Sequence, residues 1–162
     1  LDAGCGPAPM ISLLSEKYPE QHYTGLDLTP AMIEQAQKKN IPNATFVVGD
    51  CENFPFEDNS FDSIICSNSF HHYPNPQAFF DSVQRCLRPG GRLILRDASS
   101  NNRLLLWFMD NIEVPLANLC GHGDVKIARR SVIEECCQKA GLKVESFEIR
   151  KGMRMHCVVR KV

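Results

Sequence analysis

Leu1-Asp2-Ala3-Gly4-Cys5-Gly6 joins an apolar run to a helical pattern. Glycines at 4 and 6 let a backbone turn sharply and approach a ligand without a Cβ in the way. The N–H groups at the helix start that follows favour a polar or anionic group. A Gly-x-Gly alone serves plain turns equally well. Asp27 closes the next apolar run, 23 residues after Gly4. An acid at roughly 20 residues from such a turn is where doubly wound folds bind ribose hydroxyls, and a carboxylate accepts two hydrogen bonds from a diol. Asp50, a further 23 residues on, closes the third run. It suits an adenine amino group, and it equally suits a turn in Gly49-Asp50-Cys51.

His71 and His72 are the residues best placed in pH to move a proton, because an imidazole titrates near neutrality. Packing or loop hydrogen bonding is the alternative for each. Cys120-Gly121-His122, with His71, His72 and Cys157, has the atoms for zinc, but no CxxC or HxxxH spacing accompanies it, so no metal is expected.

The elements that must position these residues follow in order. Residues 1–3 read as a strand end, and Met10, Leu13, Leu14 and Tyr18 as the inner stripe of a helix stopped by Pro19. Residues 23–27 read as a strand. Thr29-Pro30 reads as a helix start whose inner face is Met32, Ile33 and Ala36. Strands are expected at 45–48, 61–66 and 92–95, with a helix opened by Asn75-Pro76 carrying Phe79, Val83 and Leu87. Ser131-x-x-Glu134 matches a capping box, opening a helix that closes at Gly141. Strands at 142–149 and 153–159 are joined by Arg150-Lys151-Gly152 alone, a link that only an antiparallel hairpin permits. The expected fold is α/β: a doubly wound, Rossmann-like three-layer sandwich, mostly parallel, with a C-terminal antiparallel hairpin.

Composition bounds the rest. The 162 residues suit a single domain, 1–162, and 43% apolar against 23% charged residues excludes a disordered chain. With 18 Lys+Arg against 19 Asp+Glu the net charge is −1, so no general attraction to nucleic acid or acidic membrane is expected. Eight cysteines lie mostly in apolar runs without a paired spacing, which reads as reduced core thiols in a cytoplasmic protein. No stretch reaches the roughly 20 apolar residues of a membrane span. The opening at Leu1, without an initiator methionine, reads as a trimmed start.

Five stretches together resemble the successive motifs of class I S-adenosylmethionine-dependent methyltransferases. They are Leu-Asp-Ala-Gly-Cys-Gly at 1–6, Gly-Leu-Asp-Leu-Thr-Pro-Ala-Met at 25–32, Gly-Asp-Cys-Glu-Asn-Phe-Pro-Phe at 49–56, Phe-Asp-Ser-Ile-Ile-Cys-Ser at 61–67 and Leu-Arg-Pro-Gly-Gly-Arg-Leu at 87–93. The similarity is nearest to the small-molecule branch that includes quinone-biosynthesis enzymes. It is close over residues 1 to 97 and looser beyond.

The resemblance implies S-adenosylmethionine as cofactor and in-line methyl transfer to a small-molecule acceptor. It implies that Gly4, Cys5 and Gly6 line the methionine part by their backbone, with Asp2 near its amino group. Asp27 would hold the ribose, Leu28 and Met32 would lie against adenine, and Asp50 and the Cys51 N–H would meet its edge. Ser67 would lie by the methionine part, with 70–72 beyond it toward the acceptor. Residues 98–129 would form the acceptor's cover, where the apolar cluster of Trp107, Phe108 and Met109 suits a partly hydrophobic acceptor. Core packing or a homodimer contact are the other readings of that cluster. The family often has glycine where this chain has Ala8, between two prolines, and it usually carries a helix before the first strand. A non-catalytic or truncated binding domain is therefore an alternative. An NAD-dependent oxidoreductase is a second, though its third glycine position is Pro9 here.

Overall fold

The computed structural model describes residues 1–119 and 127–162. Cys120 and His122 lie outside them. Seven strands form one sheet: β1 (Asp2–Ala3), β2 (Tyr23–Asp27), β3 (Ala44–Val48), β4 (Phe61–Ser67), β5 (Leu87–Ala98), β6 (Leu142–Arg150) and β7 (Arg154–Lys161). Their order is β3-β2-β1-β4-β5-β7-β6. The first five run parallel, and β7 lies antiparallel between β5 and β6. The chain steps outward from β1 to β3, then returns to the other side of β1 with β4. That reversal opens a crevice at the carboxyl ends of β1 and β4, where doubly wound sheets bind ligands.

The helices are α1 (Pro9–Lys17), α2 (Pro30–Gln37), α3 (Pro76–Cys86), α4 (Arg103–Phe108), α5 (Val114–Leu119) and α6 (Arg130–Ala140), with a π turn over Met109–Glu113 joining α4 to α5. Asn75 caps α3 by accepting from the Ala78 N–H, and Phe79 and Val83 are buried on it, as the spacing predicts, together with Phe80 and Cys86. Leu87, expected on the same helix, is buried but in extended backbone that opens β5. Two other expectations fail. Ile11 faces the core on α1 while Leu13 and Tyr18 are exposed, because a left-handed Ala8 sets where the helix begins. Ser131 does not cap α6: the helix starts at Arg130, and Glu134 pairs with Arg130 one turn back at 2.7 Å. That exposed i,i+4 ion pair uses the carboxylate a capping box would need.

The main core fills the space under α3 and α6, where Ile64, Cys66, Leu93, Leu95, Cys157 and Val159 alternate inward along their strands. Cys5, Cys51, Cys66, Cys86, Cys136, Cys137 and Cys157 are all buried and unbridged. Among the described residues no helix is long and apolar enough to cross a membrane.

Candidate functional site

The loop after β1 is clamped from both sides. Gly4 and Cys5 both donate N–H groups to the Leu26 carbonyl, at 2.8 and 3.0 Å. The Asp27 carboxylate accepts from the Gly6 N–H at 2.8 Å and from the Thr29 N–H at 2.9 Å. One acid thus ties the glycine loop to the start of α2 and keeps lone pairs for a further donor. Gly4 has φ +72°, and a Cβ there would lie 1.8 Å from Ser69 Oγ and 2.9 Å from the Tyr73 hydroxyl. Its lack of a side chain serves the close packing of 69–73 as well as any ligand. At Gly6, φ +52°, a Cβ would meet open space. Ala8 adopts φ +58° while fully buried. A left-handed conformation costs a residue with a Cβ about 1–2 kcal/mol, which is the reason glycine suits this position.

Asp2 is buried at the end of β1. Burial pushes its carboxyl up to about 6, with the Leu1 ammonium pulling it down and Asp27 adding to the rise. Asp2, Gly4, Cys5, Ser67, Asn68 and Arg96 help line a cavity of about 220 Å³ at the carboxyl edge. A larger cavity of about 560 Å³ opens at the opposite, amino edge, beside Tyr23 and Phe61, away from every candidate residue except Asp2.

Leu28 is 70% exposed and Met32 half-buried beyond Asp27. Asp50 does act as a turn residue, accepting from the Glu52 N–H at 2.8 Å through one oxygen. The Cys51 thiol is buried, and burial raises it to about 12. Its N–H meets no protein acceptor among the described residues. The stretch that follows is held on α3: Ser82 Oγ bonds both the Glu52 carbonyl and the Phe54 N–H, and Arg85 donates to the Phe54 and Phe56 carbonyls.

The second half of the site is a 3₁₀ turn over Phe70–His72 at the end of β4. Phe70 and Tyr73 sit among Phe79 and Phe80 with ring centroids 5.1–5.9 Å apart, which locks the turn from below. The Tyr73 hydroxyl meets Ser69 Oγ at 2.7 Å directly beneath Gly4. Glycine loop and histidine turn are therefore one packed unit.

His71 Nδ1 lies 2.8 Å from Asp97 Oδ1, and its backbone N–H donates to Oδ2 at 3.0 Å. Ala98 N–H donates to Oδ1 at 2.7 Å. Asp97 already accepts from two backbone N–H groups, and a ring N–H at Nδ1 completes the same accepting set. Asp97 is the residue that sequence reasoning missed. Its signal was the alternation of β5: Leu93 and Leu95 point inward, and Asp97 continues that series as a buried acid. His72 is exposed, its ring tilted against that of His71 with centroids 4.0 Å apart.

A model of the methyltransferase domain family matches residues 1–95. The chain belongs to the class I S-adenosylmethionine-dependent methyltransferases. It is 40% identical over 120 residues to the phthiotriol/phenolphthiotriol dimycocerosates methyltransferase 1 of Mycobacterium ulcerans, covering 74% of this chain and 44% of that one. It is 35% identical over 120 residues to the fatty-acid O-methyltransferase of Mycolicibacterium smegmatis, with the same two coverages, 74% and 44%. The chain thus spans under half the length of these curated relatives. A crystal structure of an S-adenosylmethionine-dependent methyltransferase from Aquifex aeolicus superposes with a TM-score of 0.77 at 19% identity, over 99% of this chain and 80% of that one, which shows the shared fold. With the family shown, the oxidoreductase alternative falls away. Both mycobacterial relatives are named for lipid acceptors rather than quinones, so the finer branch stays an expectation.

Proposed function

We propose that this chain transfers a methyl group to an oxygen of a lipid-like small molecule, with His71, held by Asp97, taking the acceptor's proton. The observation that carries this reading is the His71–Asp97 contact on a turn packed directly against the glycine loop. A histidine fixed through Nδ1 by a buried carboxylate is a pre-oriented base.

The residues fit the cofactor that the family uses. Gly6 offers open space above its Cα, the Asp27 carboxylate has accepting capacity left, and Asp2 and Arg96 place opposite charges on one cavity. In this reading the backbone of Gly4, Cys5 and Gly6 and the side chain of Ser67 line the methionine end, with Asp2 by its ammonium. Asp27 holds the ribose, and Leu28, Met32, Asp50 and the Cys51 N–H frame the adenine. Bound there, S-adenosylmethionine supplies an electrophilic methyl group open to in-line displacement. His71 Nε2 accepts the hydroxyl proton as the acceptor oxygen becomes nucleophilic, and Asp97 stabilises the resulting imidazolium. His72 stacks beside His71 and limits its rotation.

Residues 1–162 form one methyltransferase domain in this proposal, and within the expected cover 98–129 it is the described stretch 98–119 that meets the acceptor. Leu104, Trp107, Phe108, Ile112, Leu116 and Leu119 are all exposed on the helical stretch 103–119, an apolar surface suited to an alkyl chain. The naming of the two mycobacterial relatives for lipid substrates supports the same class. The seven buried, unbridged thiols support a reducing compartment, the cytoplasm. The test is release of S-adenosylhomocysteine from S-adenosylmethionine with long-chain fatty acids and alcohols offered in parallel. Turnover with an oxygen acceptor supports the proposal; cofactor binding without turnover on any of them favours the non-catalytic alternative.

A further inference from the structure

Most arginines of this molecule have a carboxylate partner. Arg88 meets Asp62 at 2.8 Å, Arg92 and Arg160 share Glu145, and Arg130 meets Glu134. Arg96 is half-buried and pairs with no carboxylate among the described residues. Its place is set by the sheet. Leu95 and Asp97 are buried on one face of β5, so Arg96 projects from the other, beside Ser67 in register on β4. The Asn68 N–H bonds the Arg96 carbonyl at 2.8 Å, which fixes the strand end at this point. The side chain lines the same cavity of about 220 Å³ as Asp2, Gly4, Cys5 and Ser67.

A guanidinium partly removed from water without a counter-charge is costly, and its planar fork matches a carboxylate in two parallel hydrogen bonds. The same cavity is lined by Asp2, a carboxyl without an arginine or lysine partner among the described residues. One acid and one guanidinium facing a shared space are the complement of an amino-acid zwitterion.

We propose that Arg96 is a carboxylate-binding residue of this site, closing on the α-carboxylate at the methionine end of the cofactor. The assignment rests on the methyltransferase reading of the site. A carboxylic acid acceptor offers the same chemistry, and the test separates the two sources.

The test compares wild type, Arg96→Gln and Arg96→Lys by calorimetric titration, after thermal unfolding has shown the variants folded. Three probes are used: S-adenosylhomocysteine, 5′-methylthioadenosine, which lacks the amino-acid end, and dodecanoate against dodecanol. Arg96→Gln is expected to weaken S-adenosylhomocysteine about ten- to a hundredfold, the range for a lost charged hydrogen bond, and to leave 5′-methylthioadenosine unchanged. Arg96→Lys should fall between, as a point charge without the fork. Loss confined to dodecanoate, with dodecanol unaffected, assigns the carboxylate to the acceptor instead. Equal affinity of both variants for all probes overturns the proposal, as does an equal loss for both nucleosides. A wild-type chain that binds neither nucleoside overturns the cofactor reading itself, a result distinct from either.

Discussion

The two halves of the carboxyl edge are built differently. Around β1 and β2, backbone groups do the holding: Gly4, Cys5, Gly6, Thr29 and Gly49 all donate to Leu26 or Asp27. Over 103–119, large apolar side chains lie on the surface, Leu104 at 81% and Leu119 at 84% exposure. A ligand recognised by N–H groups and carboxylates requires directions, and directions require a fixed backbone. An apolar ligand requires area, because hydrophobic burial is non-directional. The histidine turn is fastened to the first half by Ser69 and Tyr73 and carries His71, the base we propose.

That contrast breaks first if the two halves fail to separate in a single variant. His71→Gln should lower turnover about 10²–10⁴-fold, the usual share of a general base, with S-adenosylhomocysteine affinity unchanged. Single-turnover kinetics beside calorimetry reads both; a parallel fall in affinity would merge the halves. Gly4→Ala tests the fastening itself. A Cβ 1.8 Å from Ser69 Oγ, at φ +72°, should destabilise the fold by about 2–5 kcal/mol in urea unfolding, the sum of left-handed strain and overpacking. Adding Ser69→Gly should recover part of that loss; no recovery would mean the clash is elsewhere.

The buried Asp2 adds a pH signature confined to the cofactor half. Its carboxyl is raised to about 6 in the fold from 3.8. The folded chain then binds the proton more tightly than the unfolded one, so this group's contribution favours folding at low pH and is lost as pH rises from about 4 to about 6. Asp2→Asn should therefore stabilise the fold near pH 7 by about 2–3 kcal/mol, read by thermal unfolding across pH. In the proposed role of Asp2, ligand binding has the opposite slope, because protonation removes the charge that would meet an ammonium. Affinity for S-adenosylhomocysteine should weaken below pH 6 in wild type and stay flat in Asp2→Asn. The smallest effect belongs to the other half. Leu104→Ser or Leu119→Ser should change stability by no more than about 0.5 kcal/mol while weakening a long-chain acceptor. A change in solution mass with either variant would instead identify that face as a homodimer contact.

The elements of the proposed cofactor half were legible because their information is local. Gly4, Gly6 and Asp27 sit at strand ends whose spacing survives in one dimension, and the fold brings Gly6 and Asp27 into hydrogen-bond contact. Ala8 was legible as a departure from glycine, and its left-handed backbone gives the physical reason. Ser131 misled because S-x-x-E specifies a cap only when the helix begins there, and the N-cap position of α6 is Arg129, two residues earlier. For Asp97 the alternation of β5 could signal burial but not the contact: its partner His71 is 26 residues away, and no local pattern announces a contact of that span.

By itself the sequence determined the alternation of strands and helices, the antiparallel hairpin that a three-residue link enforces, and the acids at the strand ends, all consequences of periodicity and chain geometry. Only the tertiary structure decided that β7 inserts between β5 and β6, that the side chains of Ser69 and Tyr73 occupy the space under Gly4, and that Asp97 reaches His71 while Arg96 turns to the opposite face. These depend on which strands become neighbours, and strand pairing is settled by burial summed over the whole sheet rather than by any residue's own preference.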